Sequence, residues 1–211
     1  MTDRGMRDKA RAPNQGPEPA GFFRIIARRF AFPDNRAATP VQPGRCSGDP
    51  LRNLAIMSTP AVHTAMLIHR PVDEVYQAFT EPGVTSWFWF THGDRRLSPG
   101  AQVTWSWGMY GVSTRVAVKD IQVNRRILID WNLDDQPTEV EWRFEARDKS
   151  TWVEVFNRGF PASNDGVKAA LDAMEGFTLV LAGAKLWLER AIEPTFIADR
   201  FPDRVLPGWK R

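Results

Sequence analysis

NDGVKAALDAMEGFTLVLAGAKLWLERAIE, residues 164–193, is the longest helical signal in the chain, and its position after a series of strands decides the fold. Val167, Ala170, Leu171, Met174, Phe177, Leu181, Ala184, Leu188 and Ala191 keep helical spacing for about eight turns, on the order of 45 Å at 1.5 Å per residue. Ser163 precedes it as the predicted N-cap, and Pro194 ends it. A helix of this length can lie across a whole sheet.

The strands it would cover are legible by alternation. Val103, Trp105 and Trp107 share one face, with Gln102, Thr104 and Ser106 on the other. After the turn at Gly108–Gly111, Val112, Thr114, Val116 and Val118 alternate with Ser113, Arg115, Ala117 and Lys119. Ile127, Ile129 and Trp131 form the next inward set. Val140, Trp142 and Phe144 alternate with Glu139, Glu141, Arg143 and Glu145, which reads as a strand with one wet face. Trp152 to Phe156 is the last strand, and Val62 to His69 the first. Between them, Pro71 opens a helix with Val72, Val75, Tyr76 and Phe79 on one stripe, and Asp73 and Glu74 lie in its first turn, where the helix dipole favours acids. The order predicts an α+β layer in which an antiparallel sheet wraps around the final helix.

Charge separates this domain from what precedes it. The chain has 28 Lys and Arg against 25 Asp and Glu, but residues 1–56 hold 10 basic and 5 acidic side chains and residues 57–211 hold 18 and 20. The first segment also carries 7 of the 16 prolines and the single cysteine, Cys46. Ordering its backbone would cost roughly 1–2 kcal/mol per residue with little apolar surface to offset it, so a disordered basic extension is predicted. GFFRIIARRFAF, residues 21–32, has the composition of a basic amphipathic helix, but arginines interrupt it too often for a secretory signal, and Asp3, Asp8 and Glu18 argue against a transit peptide. Met57 begins the first sequence with strand character, so an over-called start is the other expectation for 1–56. The domain is expected over 57–193, followed by a tail, 194–211, whose Phe196, Ile197 and Phe201 suit docking on the domain or a partner.

VYQAFTEPGVTSWFW, residues 75–89, resembles the opening signature of the SRPBCC or START-like superfamily, in particular its activator of heat-shock-protein ATPase homologue branch. SPGAQVTWSW (98–107), VKDIQVNRRILIDW (118–131), TWVEVFNRGF (151–160) and the closing helix follow in the order and spacing of that family. The resemblance spans roughly residues 61–193. It implies a helix-grip fold of the START-like or Bet v-like kind: a curved antiparallel sheet around a long C-terminal helix, two short helices after the first strand, and a cavity that in many relatives holds a hydrophobic small molecule. Relatives range from lipid carriers to aromatase/cyclases and co-chaperones, so the fold leaves the function open.

Catalytic constellations are not found in the sequence. His63 and His69 share a strand face but stand about 20 Å apart, too far to share a metal. Gly111-Val112-Ser113 lacks the second glycine of a nucleophile elbow, and no phosphate-cradling glycine loop occurs. Asp130 and Glu154 lie on the polar parity of their strands, and Arg115 and Lys119 read as solvent-facing strand charges. No catalytic residue, metal or cofactor is therefore predicted. The aromatic set is more telling, because 8 of the 9 tryptophans fall between Trp87 and Trp187. The predicted ligand-contacting residues are Trp89, Val103, Trp105, Trp107, Ile129, Trp131, Trp142, Phe144, Phe177 and Leu181, although for any single tryptophan filling the core is the favoured reading over touching a ligand. Ala170, Ala173, Gly176, Ala182, Gly183 and Ala184 on the helix either let helix and sheet approach closely or leave room for a guest.

The leading expectation is a cytoplasmic protein that binds a hydrophobic or aromatic small molecule, without nucleic-acid or stable membrane association. An aromatase/cyclase-like enzyme is the alternative, for which Asp130, His92 or Arg95 would have to face a pocket. A co-chaperone that stimulates a heat-shock ATPase is the third, as the branch name suggests.

Overall fold

The computed structural model describes residues 59–210; the basic extension at 1–56, with its stretch at 21–32, lies outside the described residues. The chain is α+β, with a seven-stranded, wholly antiparallel sheet. β1 (Val62–Ile68) leads into two short helices, α1 (Val72–Thr80) and α2 (Pro82–Thr85). β2 (His92–Gly93), β3 (Gln102–Trp107), β4 (Val112–Gln122), β5 (Arg126–Trp131), β6 (Thr138–Arg147) and β7 (Ser150–Arg158) follow, then α3 (Asn164–Arg190) and a last short helix, α4 (Phe196–Asp199). Strand order is β1-β7-β6-β5-β4-β3-β2, so hairpins connect neighbours from β2 to β7 and β1 closes against β7. The sheet curves around α3 in the helix-grip arrangement.

Register follows from the alternation. Val103, Trp105 and Trp107 on β3, Val116 and Val118 on β4, Ile129 and Trp131 on β5, Val140, Trp142 and Phe144 on β6, and Val153 and Val155 on β7 all turn inward and are buried. A one-residue slip anywhere in this ladder would send a row of rings to solvent, which fixes the pairing. α1 buries Val75, Tyr76 and Phe79, and Tyr76 and Phe79 meet the Phe144 ring at 5.5 and 5.8 Å. The Thr85 hydroxyl, buried where α1 meets α2, donates to the carbonyls of Ala78 at 2.7 Å and Glu81 at 2.9 Å. That ties the two short helices together ahead of the aromatic segment 87–90.

Two expectations need correction. The sheet-facing side of α3 is made of Ala170, Ala173, Gly176, Phe177, Val180, Leu181, Gly183 and Ala184, whereas Val167, Leu171 and Met174 point outward with 42%, 57% and 41% exposure. The physical reason is size, since the helix lies against a floor of indole rings and close approach demands small residues. At Gly183 an added Cβ would stand 3.1 Å from the Phe88 carbonyl oxygen, and at Gly166 it would stand 1.8 Å from that of Pro161. The second correction concerns β6, whose polar parity is not uniformly wet: Glu141 is only 2% exposed. Leu128 of β5 is also buried on that outer face.

The start of α3 is closed by Ser163, whose Oγ accepts from the Gly166 N–H at 3.1 Å. Replacing it with alanine removes the acceptor of this N–H and leaves an orphan donor at the helix terminus. Ser163→Ala is expected to lower the unfolding free energy by about 1 kcal/mol, read from the urea midpoint at unchanged slope. No helix among the described residues is long and apolar enough to cross a membrane.

Candidate binding site

Trp89 occupies the centre of the grip. It follows α2, whose Ser86 to Phe88 turn is held by backbone bonds to Pro82, Val84 and Thr85, and its ring projects into the bowl of the sheet. Six rings surround it: Trp105 at 5.0 Å, Trp131 at 5.6 Å and nearly parallel at 12°, Phe90 at 5.8 Å, Trp142 at 5.9 Å, Phe177 at 6.1 Å and Trp107 at 6.4 Å. These are offset-stacked and edge-to-face spacings, each contributing about 0.5–1.5 kcal/mol beyond the area it buries. All ten residues expected at a ligand are buried, none more than 5% exposed. The structure brings Trp89, Trp105, Trp107, Trp131, Trp142 and Phe177 into one cluster. Phe144 sits under α1 with Tyr76 and Phe79, while Val103, Ile129 and Leu181 complete the apolar core.

The helix therefore approaches the Phe88 backbone closely at Gly183 and meets the rings through Phe177, and Trp89 fills the space that small residues could have left. The indole N–H of Trp142 is buried in this shell with no hydrogen-bond acceptor. A buried donor left unpaired costs about 1–3 kcal/mol, so the Trp142 N–H is an unmet polar demand in this shell.

At the edge of the cluster is a cleft of about 90 Å³, open on one side and walled by Trp87, Phe88, Trp89, Met109, Pro194, Ile197, Ala198 and Trp209, with Glu193 and Thr195 at its polar edge. Trp87, 40% exposed, stacks on Trp187 at 4.7 Å and 11°. Sequence reading missed most of this site. Its walls come from three separated stretches, 87–89, Met109 and 193–209, and no local pattern announces that they meet.

The C-terminal segment forms the far wall. Ile197 is buried on the domain; the Tyr110 hydroxyl donates to the Ile197 carbonyl and, at 3.2 Å, to that of Ala198. Burial pushes the Tyr110 hydroxyl up to about 12 despite its contact with the Phe201 backbone. The Arg200 guanidinium donates to Asp172 Oδ1 at 2.7 Å, to the Asp172 carbonyl at 3.1 Å and to Glu175 Oε2 at 2.8 Å. Burial raises the Asp172 carboxyl to about 6, outweighing the opposite pull of Arg200.

Polar groups considered for catalysis lie elsewhere. Asp130 faces outward, 3.3 Å from Lys119; His92 pairs with Ser106 on the outer face; Arg95 is exposed beside Asp94. His63 stacks on Phe156 at 4.5 Å and meets Glu154 at 2.9 Å, and the His69 ring is 3.1 Å from the Ser150 hydroxyl. Among the described residues no group of three His, Cys, Asp or Glu is placed to hold a metal ion.

Comparison with solved structures agrees with this architecture. The protein SSP2350 from Staphylococcus saprophyticus superposes with a TM-score of 0.57 at 23% identity, over 64% of this chain and 96% of that one. DynU16, a protein from the dynemicin biosynthetic locus, gives 0.57 at 18% identity over 63% of this chain and 48% of its own. The Aha1 dimer from Colwellia psychrerythraea gives 0.55 at 15%, over 62% of this chain and 97% of that one. These identities speak for the fold alone. No match was found among curated proteins. The family described as Activator of Hsp90 ATPase homolog 1-like protein matches residues 69–185, more than half of the chain and every element from α1 through most of α3. The chain belongs to the Activator of Hsp90 ATPase homolog 1-like protein family.

Proposed function

We propose that the protein binds a small, flat, apolar molecule in the cleft beside Trp89. The observation that carries this reading is the cleft itself, about 90 Å³ between Trp87, Trp89, Met109 and the C-terminal segment, at the edge of a ring cluster. Its aromatic walls offer stacking surface, and a site of this size suits one or two fused rings rather than a long lipid chain. The unpaired Trp142 N–H favours a ligand with a hydrogen-bond acceptor, should its ring displace Trp89 and reach the shell.

The reading is tested with the full chain against indole, simple phenols and larger aromatic compounds, followed by intrinsic tryptophan fluorescence and thermal unfolding. A ligand at 100 times its Kd is expected to stabilise the fold by about 2.7 kcal/mol. Ala198→Phe, which fills the cleft from its outer wall, is expected to abolish the shift without lowering the melting temperature of the unliganded protein. The absence of both quenching and stabilisation across ring compounds at ~1 mM would remove the proposal, since ~4 kcal/mol of binding free energy would then be missing.

A further inference from the structure

The segment after α3 lies beyond the region that matches the family, which ends at residue 185, yet it walls the cleft. It leaves α3 through Ala191 in the left-handed conformation at φ 53°, and Pro194 packs beside Gly183. From there it runs across the open end of the grip to Trp209. We infer that residues 194–210 are a strap that closes the cleft and sets the largest ligand it admits, with Arg200 as the clasp. This rests on the ligand-binding reading above.

Three fastenings hold the strap, one on α3 and two on the turn between β3 and β4. Arg200 binds Asp172 and Glu175 on α3; Tyr110, between β3 and β4, donates to the Ile197 and Ala198 carbonyls; and the Leu206 N–H donates to the Met109 carbonyl at 2.8 Å. Tyr110 and Met109 belong to the same 3-10 turn, Gly108–Tyr110, so the strap is pinned to that turn at two points of its length. Between fastenings Ile197 is its one buried apolar side chain, while Val205 and Trp209 are only partly buried against the core.

The clasp is strong in one direction and under-bonded in another. The Arg200 side chain is only 4% exposed, and although Nη2 is fully engaged, its Nε and Nη1 find no acceptor, nor does Asp172 Oδ2 find a donor. Desolvating an ion pair without completing its hydrogen bonds forfeits much of the Coulombic gain. A terminal segment with a single buried apolar side chain, held by a clasp of this kind, belongs to the low-stability end of a structure, from which moving lids are drawn. Opening it rehydrates Arg200 and Asp172 while leaving the sheet and the ring cluster intact. With the strap closed, the cleft accepts a ligand of about indole size; with it released, the wall formed by Ile197, Ala198 and Trp209 is gone and larger ring systems fit.

Hydrogen exchange on the full chain, with wild type, Arg200→Gln and Tyr110→Phe, tests this alongside binding of indole and of 8-anilinonaphthalene-1-sulfonate. In both variants the amides of 195–206 are expected to exchange at least ~10-fold faster while those of β5 and β6 keep wild-type rates. Wild type is expected to take indole and exclude the larger probe, which the variants bind at least ~10-fold more tightly than wild type does. Unchanged strap exchange in both variants overturns the strap, whatever binds. Faster strap exchange with equal affinity of the larger probe for all three proteins overturns its role in ligand size. A strap that opens while neither probe binds any form also overturns that role, and locates the failure in the ligand-binding reading rather than in the fastening. Tyr110→Phe removes one hydroxyl at the domain edge, so the test stands if Arg200→Gln folds poorly.

Discussion

Trp89→Ala is expected to lower the unfolding free energy by about 3–5 kcal/mol, the largest effect of any single substitution in the aromatic cluster. The ring touches six others and is 5% exposed, so truncation removes the transfer free energy of an indole and leaves a void that its neighbours cannot easily close. Trp131 and Trp142 come from paired strands whose backbones are fixed by the ladder, and Phe177 comes from a helix held close by small residues. For a domain of this size the loss corresponds to a fall of about 10 °C in Tm. The void has the shape of the side chain removed and rigid aromatic walls. Added indole is therefore expected to raise the Tm of Trp89→Ala by more than it raises that of wild type or of a Trp89→Phe control, where most of the space is still filled and only the cleft is open to it. A loss below ~1 kcal/mol in denaturant titrations would show that Trp89 is not the keystone of the core.

How far the sequence could lead depended on what each pattern measures. Alternation in Val103-Trp105-Trp107 and Val140-Trp142-Phe144 located the inward face correctly, because a strand's two sides differ in solvent and the period is exactly two residues. The α3 stripe was misread over its first half for the opposite reason. Apolar periodicity ranks residues by hydrophobicity, but against a floor of tryptophans the contact face is selected by smallness, so Ala170, Ala173 and Gly176 pack inward while Leu171 and Met174 face out. The ten expected ligand contacts were legible as one buried aromatic set, yet the space at their centre was not. Only the fold reveals that Trp89 enters it from a loop outside the strands. The cleft was less legible still, since it exists where Met109 and a strap some 90 residues later come together, and neither stretch has a periodic signal of its own.

Glu141 supplies the second large effect, on the outer face where parity alone had placed an exposed charge. Its carboxylate accepts from Arg126 Nε at 2.7 Å, from Arg143 Nε at 3.0 Å and Nη2 at 3.1 Å, and from Arg158 Nη1 at 3.1 Å. Arg143 and Arg158 also lie over the Phe156 ring at 4.7 and 4.9 Å, so their stems roof the carboxylate and bury it in mid-sheet. Burial by itself would raise the Glu141 carboxyl, but the hydrogen bonds from Arg143, Arg126 and Arg158 outweigh it and bring it down from 4.5 to about 2. A carboxyl whose folded value is depressed contributes stability that is complete above its unfolded value and is lost as pH falls toward the folded one. Glu141 is thus expected to contribute about 3 kcal/mol near neutral pH and to lose it progressively between about pH 5 and pH 2. Glu141→Gln keeps the volume and one acceptor but leaves three guanidiniums sharing a neutral amide; because those arginines are 30–51% exposed and can turn to water, the expected cost at pH 7 is roughly 2–3 kcal/mol. The difference between wild type and variant in denaturant titrations should shrink steadily through that acid window and be nearly gone at its lower end, where the folded-state carboxyl is half protonated. Stability curves that run parallel from pH 7 down to pH 2 would mean that the carboxylate is not held ionised by its arginines, and that Arg126, Arg143 and Arg158 are anchored instead by Asp120, Glu139 and the Phe156 ring.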